Sequence, residues 1–246
     1  LYIVAGEEQN VPHAKLSDYA FGHALEKDTS EIVVASGGKV LGTVRTPLNT
    51  SDYSSFLLQA QGSKAKVVGL ANAGADTINS IKQAAEFGIV AGGQKLAALL
   101  LTASEVHGLG LKAAQGTVLT ESFYWDLNDK TRKFSEEFFK RTGRMPSMIQ
   151  AGTYSATLSY LKAVKAAGTK DSDAVVKKLK ELPVNDSFTQ GGKVLANGRM
   201  VADLYLFEVK KPEESKRPWD YYKLLAKVPG DTAYPSAKES GCPLTK

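Results

Sequence analysis

Cysteine is almost missing from this sequence. Cys242 is the single one, which excludes an internal disulfide and any cluster of thiolate metal ligands. It sits in Gly241-Cys242-Pro243 with no histidine nearby, so it reads as a structural residue, or as half of a bridge whose partner lies outside this chain, rather than as a nucleophile. Histidine is scarce too: His13, His23 and His107 are the three present, and no two have metal-ligand spacing. No G-x-S-x-G elbow occurs, so the commonest serine-nucleophile signature is missing. No run approaches the roughly 18 apolar residues of a membrane span. No signal peptide stands at Leu1, which decides nothing, because a mature exported chain has lost it. Sequence repeats and low-complexity linkers are lacking. Charge imbalance is mild: 31 Lys and Arg against 26 Asp and Glu give +5. The lysines are spread along helix faces such as Lys177-Lys178-Lys180, which is a solvated surface and not a nucleic-acid tract.

What is present is a globular composition, 43% hydrophobic and 23% charged over 246 residues, enough for one large or two modest domains. The organising stretch is Lys66 to Gly93. Val67-Val68-Gly69-Leu70-Ala71 has the length and type of a buried parallel strand, and Asn72 to Asp76 break it as a loop. From Thr77 the period changes, and Ile78, Ile81, Ala85 and Gly88 predict one face of a helix that Gly88 ends. Gln94 to Leu101 is the next buried strand. Strand, helix and strand in this order make a βαβ unit and a parallel sheet. Ligands of such sheets gather at the strand carboxyl ends, which places Asn72 to Asp76 and Thr102 to Glu105 on one edge of a site.

Along the rest of the chain, Leu1 to Ala5 reads as a strand. Phe21 to Ser36 reads as a helix with Ala24, Leu25, Ile32 and Ala35 on its apolar face. Lys39 to Arg45 predicts a strand ended by Pro47. Ser51 or Asp52 caps a helix whose Phe56, Leu57 and Ala60 turn to the core. A short helix over Glu105 to Ala114 and a strand over Gly116 to Thr120 complete a regular α/β alternation. Three amphipathic helices follow with no strand between them. One runs from an Asn128 cap through Phe134, Phe138 and Phe139 to Gly143, with Phe134 and Phe138 in the core. The next carries Tyr154, Leu158, Leu161 and Val164 to Gly168. The third starts at an Asp171 cap and turns Val175, Leu179 and Leu182 inward. The remainder is β-rich: Asn197-Gly198 predicts a hairpin, and Leu204–Val209 and Tyr221–Val228 read as strands.

Two patterns carry little chemistry. Gly108-Leu109-Gly110-Leu111-Lys112-Ala113 matches a dinucleotide fingerprint by letter, but that fingerprint needs its glycines directly after a strand and opening a helix, and here six residues intervene after Leu101. Glu105 and His107 form an acid–base pair on paper, yet such residues more often cap a helix or face solvent. The aromatics at element ends, Phe21, Phe123-Tyr124-Trp125 and Tyr154, are better candidates for lining a pocket.

Several longer motifs carry a resemblance. Asp18-Tyr19-Ala20-Phe21-Gly22, Leu70-Ala71-Asn72-Ala73-Gly74, the run IKQAAEFGI, Gln150 to Ser155, KKPEES, PWDYY and the terminal SGCPL occur in one order. In these the chain, from about Asp18 to Lys246, resembles the periplasmic solute-binding proteins of ABC importers of the branched-chain amino acid (Leu/Ile/Val-binding) type. The resemblance implies an α/β fold with two lobes of parallel sheet flanked by helices, joined by three crossovers, with a small molecule held in the cleft between them. On that template residues 1–17 are a remnant of the first lobe and 18–121 are the second lobe. Residues 122–202 supply helices and a hairpin to the first lobe, and 203–246 the crossover strand and the carboxyl-terminal part of the second. Members carry over a hundred residues before the second lobe. The expectation is therefore a fragment with gaps closed up rather than a reduced variant, since three unburied helix faces would be a large apolar patch.

The resemblance also implies roles. Phe21 stands where an aromatic stacks on the ligand, and Asn72 and Ala73 lie in a contact loop with Thr102 on the same edge. Glu105 lies near the acid that pairs with an amino-acid ammonium, and Tyr124, Trp125 and Tyr154 are candidates at the crossover and rim. It implies a non-enzymatic, monomeric extracytoplasmic receptor for a small amino acid or an aromatic or other small carboxylate. Such a receptor delivers its ligand to an ABC permease, with no cofactor, metal or nucleic acid, in the periplasm. The rival reading is a ligand-sensing regulator with the same fold, and a nucleotide-dependent enzyme built on the Gly108 pattern stands third.

Overall fold

The computed structural model describes residues 4–5, 20–236 and 238–245. Its elements in chain order are β1 (Val4–Ala5), α1 (Ala20–Ala35), α2 (Ser54–Gly62), β2 (Val67–Leu70), α3 (Ala75–Glu86), β3 (Lys95–Ala98), α4 (Ala103–Leu109), α5 (Leu111–Ala114), β4 (Val118–Glu121), α6 (Asp129–Thr142), α7 (Met148–Ala167), α8 (Ser172–Glu181), β5 (Lys193–Val194), β6 (Met200–Val201), β7 (Leu204–Val209), β8 (Tyr222–Val228) and α9 (Gly230–Ala233). Six strands form one sheet in the order β1-β2-β3-β4-β7-β8, and β5 and β6 form a separate pair. This is the α/β class the sequence implies. No helix among the described residues is long and apolar enough to cross a membrane.

The chain divides into two units, Leu1–Thr120 with Phe207–Lys223, and Glu121–Leu206 with Leu224–Lys246. The chain passes from one unit to the other within β4, β7 and β8.

In the first unit β2, β3 and β4 run parallel, with Leu70 beside Ala98 and Ala98 beside Leu119. Their apolar residues are sealed: Val68, Leu70, Leu96 and Leu119 are buried, as near-continuous apolar strands covered on both faces must be. Short β1 pairs antiparallel with β2, Val4 facing Val68. One departure from expectation is that Lys39–Arg45 does not form a strand; only Val40 makes a single bridge, and the strand beside β2 on the side away from β3 is β1. Leu1 to Ile3 of the expected first strand lie outside the described residues.

Helix faces also depart from the simple apolar count. On α1 it is Gly22, Leu25 and Val33 that turn inward, Leu25 and Val33 packing around Ala71, whereas Ala24, Ile32 and Ala35 are exposed. Residues 22, 25, 29 and 33 form one stripe at three- and four-residue spacing, and the other set straddles it. On α3 the buried residues are Asp76, Thr77, Ser80, Ile81 and Ala84, with Ile78 half-buried and Ala85 exposed. Polar residues go inward here because the loop before the helix needs their hydroxyls. Near α2, Asp52 accepts from the Ser54 N–H at 2.9 Å, while Leu57 and Ala60 are buried.

The second unit holds the three consecutive helices. Their ends follow the expected capping chemistry. Asn128 Oδ1 accepts from the N–H groups of Lys130 and Thr131, Asp171 accepts from Ala174, and Gly143 and Gly168 close α6 and α7 in the left-handed region. The buried positions of α6 are Thr131 and Ser135, so Phe134 and Phe138 are half-buried instead of core. Phe134 packs edge-on to Phe123, 6.0 Å between ring centres. On α8 Val175 is buried, but Leu182 sits at the helix end and is exposed. The Asn197-Gly198 turn forms as expected between β5 and β6: the Leu195 N–H donates to Arg199 O, and Gly198 has φ +83°.

Candidate functional site

The parallel register sets the carboxyl ends of β2 and β3 side by side in the first unit, so the loops after Leu70 and Ala98 share one edge. Three features are built there from local chemistry.

The first is the loop Asn72-Ala73-Gly74. Asn72 is 2% exposed and spends its whole amide inside the protein. Its Nδ2 donates to Ser80 Oγ at 2.9 Å, and its Oδ1 accepts from Thr77 Oγ1 at 2.9 Å. Ser80 Oγ in turn donates to the Asp76 carbonyl at 2.7 Å. Asn72 is thus a clamp for the loop, and the half-buried Ala73 is what the loop presents next. Gly74 turns the chain at φ +59° and ψ −131°, a conformation that a Cβ makes costly.

The second is the start of α4. The Thr102 N–H and Oγ1 both donate to Glu105 Oε2, at 2.7 and 2.9 Å, a capping-box contact that fixes the carboxylate over the first turn. Glu105 Oε1 makes no hydrogen bond among the described residues, so one oxygen of an anchored carboxylate stays available. The third is Phe21, 39% exposed in the first turn of α1. It stands one turn before Leu25 on the same helix face, and Leu25 packs on Ala71, the residue before Asn72.

A buried polar cluster that sequence reading did not single out underlies this edge. Tyr53 is 1% exposed and Asp76 is also buried. Asp76 Oδ2 accepts from the Asn49 N–H at 3.2 Å, while Asp76 Oδ1 and Tyr53 Oη complete no hydrogen bond among the described residues. Burial first, and the nearby Asp76 carboxylate second, push the Tyr53 phenol above its ordinary value. Gln83 ties the same segment to α3, accepting from the Tyr53 N–H at 2.7 Å and donating to Ser51 O at 2.8 Å. The signal was present in the sequence: Thr77 and Ser80 fall in phase with Ile81 and Ala84, the true inward stripe.

The other candidates lie elsewhere. Tyr124 and Trp125, in the second unit, are each 4% exposed and lie against each other with ring centres 6.0 Å apart. Tyr154 is half exposed with its ring 5.0 Å from that of Phe134. His107 does not meet Glu105. It stacks on Trp219 at 3.9 Å and 6° between planes, and its Nδ1 lies 2.6 Å from Tyr221 Oη. The Gly108 pattern is split, Gly108 inside α4 and Gly110 at φ +77° between α4 and α5, so the strand–turn–helix context of a dinucleotide loop is not there. Among the described residues no group of three His, Cys, Asp or Glu side chains is placed to hold a metal ion.

The chain matches a protein family and several solved structures. A family profile described as periplasmic binding protein matches residues 13–216. The crystal structure of a periplasmic binding protein from Burkholderia mallei is 53% identical over 93% of this chain and 60% of its own, with a TM-score of 0.87. A branched chain amino acid ABC transporter periplasmic ligand-binding protein from Burkholderia xenovorans is 40% identical over 95% of this chain and 62% of its own, with a TM-score of 0.86. At 22% identity, covering 87% of this chain and 58% of its own with a TM-score of 0.75, a solute binding protein of an ABC transporter from Rhodopseudomonas palustris shares the fold, and it was solved with 3,4-dihydroxy benzoic acid. No curated protein matches the chain. The chain spans about 60% of the length of the solved structures it resembles.

Proposed function

This chain belongs to the periplasmic binding protein family, and from that premise we propose that it is part of an extracytoplasmic solute receptor, with its ligand received on the strand-carboxyl edge of the first unit. The observation that carries this reading is the pairing of Leu70 with Ala98, which sets the clamped Asn72 loop beside the anchored Glu105. Phe21 offers a flat apolar face, Ala73 and the backbone after it offer polar contact, and Glu105 Oε1 accepts a ligand ammonium. A carboxylate held by a neighbouring N–H and hydroxyl is preorganised, so little is lost in ordering it when a cation arrives. That chemistry favours a small α-amino acid over an acid without an amine. Asn72 serves by holding the loop, not by touching the ligand. Tyr124 and Trp125 pack against each other within the second unit, and Tyr154 of that unit is given no role at this edge. No reaction is proposed, since the family's role is substrate binding.

Handover to an ABC permease at the membrane, from the periplasmic side, is part of the same proposal. It is supported by the relative from Burkholderia xenovorans, described as a transporter's ligand-binding protein. The experiment is a thermal scan of the intact protein against the common amino acids and a set of hydroxybenzoic acids. A ligand that binds the folded state raises stability by RT ln(1 + [L]/Kd). A rise with an α-amino acid that Glu105→Gln abolishes supports the reading. A rise only with benzoic acids, unchanged by that substitution, removes the ammonium contact and leaves a carboxylate receptor.

A further inference from the structure

We propose that the first unit carries a second binding site, at the opposite ends of its strands, for a small carboxylate with an apolar body. A cavity of about 280 Å³ opens there against Ile81, Val90 and Leu96, with Lys112 and Lys211 at its rim. Leu96 is the second residue of β3 and Gly116 comes just before β4, so the space lies at the strand amino ends. The Asn72 and Thr102 loops follow the carboxyl ends of the parallel β2 and β3, which makes the two places distinct.

The space exists because side chains are missing from it. Gly88, Gly116 and Ala113, with little or no side chain, line it. A Cβ on Gly116 would come within 3.2 Å of Val90 Cγ1, so the wall is already closely packed on that side. Ile81 and Leu96 are buried beneath the floor, and the half-buried Val90, Ala113 and Gly116 give it the accessible apolar surface that rewards an apolar guest.

The rim chooses the sign of the guest. The Lys112 and Lys211 ammonium groups hold no carboxylate among the described residues, and both line this one cavity. Glu214, three residues after Lys211, has turned its Oε2 to the Lys211 backbone N–H at 2.8 Å. Two cations over an apolar floor suit one carboxylate bearing a hydrocarbon body. The volume exceeds the roughly 150 Å³ that holds benzene, so an aromatic ring or a chain of about eight carbons fits, and a dinucleotide does not.

The test uses 8-bromooctanoate and the intact protein. In amide NMR, titration is expected to shift Gly88 and Gly116, and crystals grown with the probe are expected to show anomalous bromine density beside Leu96. The exposed Lys112→Glu and Lys211→Glu changes, made together, should weaken the probe by roughly tenfold or more while leaving the ligand edge untouched. Ala113→Leu, which fills the cavity without touching charge, should weaken it as well. Shifts confined to Asn72 and Ala73 would overturn the proposal, because the probe would then be occupying the ligand edge. So would the absence of any shift at about 10 mM, far above the affinity of a useful site, or equal binding by the charge-reversed protein. None of these outcomes depends on whether an amino acid binds at Glu105.

Discussion

Asn72 Nδ2 donates to Ser80 Oγ at 2.9 Å, joining the loop after β2 to the second turn of α3 within a fully buried contact. The same amide accepts from Thr77, so one side chain satisfies two hydroxyls that have no water to turn to. Asn72→Ala therefore leaves the Thr77 hydroxyl without an acceptor, at a cost of about 1–3 kcal/mol. Urea denaturation should show that loss. The double mutant with Ser80→Ala should cost less than the sum of the two single mutants, with a coupling of about 0.5–3 kcal/mol. Ligand affinity should fall as well, since Ala73 and Gly74 lose their support.

Gly74→Ala isolates backbone strain from crowding. A Cβ at Gly74 meets nothing within 4 Å, yet φ is +59°. The expected cost is about 1–3 kcal/mol, measured by the same denaturation. An unchanged midpoint would mean that the loop relaxes to a form alanine accepts.

Asp203 gives a pH signature. Its Oδ2 meets Lys227 Nζ at 2.6 Å and its Oδ1 accepts from the Gly230 N–H at 3.0 Å. The Lys227 bond is the larger cause that holds the Asp203 carboxyl below its ordinary value. A depressed carboxylate contributes stability that is present above the unfolded pKa of about 3.9 and is lost as pH falls through the folded one. The stability gap between the wild type and Asp203→Asn should therefore be constant near neutrality and close as the pH drops below about 4. A gap that persists in acid would assign the effect to packing.

Much of this architecture was legible because it rests on local chemistry. Asn128, Asp171, Gly143, Gly168 and Asn197-Gly198 act within a few residues of themselves, so a sequence window contains the whole cause. The failures are non-local. Lys39–Arg45 has strand composition, but strand formation depends on pairing with a distant segment, and β1 is the one that pairs with β2 on that side. The inward faces of α1 and α3 depend on what they cover, Ala71 in one case and the Asn72 amide in the other. At the candidate site, the placing of the loops after β2 and β3 on one edge followed from βαβ order alone. That Asn72 faces inward did not, because its partners Thr77 and Ser80 look like surface residues until the helix is docked. Tyr53 lies 23 residues before Asp76 in the chain, and its place beside that carboxylate follows only from the packing of α2 on α3.

Tyr53 should reveal itself at high pH. Its hydroxyl is buried with no completed hydrogen bond among the described residues, and burial together with Asp76 raises its pKa. Above about 10 the unfolded phenol loses its proton while the folded one keeps it, so the folded state is penalised as pH rises. Other tyrosines add to the alkaline loss of the wild type, so the diagnostic is the difference from Tyr53→Phe. That variant should match the wild type near neutrality, since no formed bond is removed, and should hold its stability better above pH of about 10. A large loss near neutrality would mean that the hydroxyl is bonded in solution, with Asp76 as its acceptor.

Trp219 offers a test in which the usual ranking of two substitutions reverses. Its φ of +68° is in the left-handed region, uncommon for a bulky residue, and it lies 3.9 Å from the ring of His107 in a parallel stack. The next residue, Asp220, is bound to Lys210, which holds the turn in place while the stack is lost. Trp219→Ala and Trp219→Gly remove the same aromatic contact, so both should lower the unfolding midpoint. They differ in the backbone. Alanine keeps the left-handed penalty of roughly 1–2 kcal/mol, and glycine does not. At an ordinary position glycine is the worse of the two by up to about 1 kcal/mol, through the entropy of the unfolded chain. Here glycine should come out as the more stable variant. If alanine proves the more stable, the turn has moved to negative φ once the indole is gone, and the stack with His107 is then what holds Trp219 in its strained conformation.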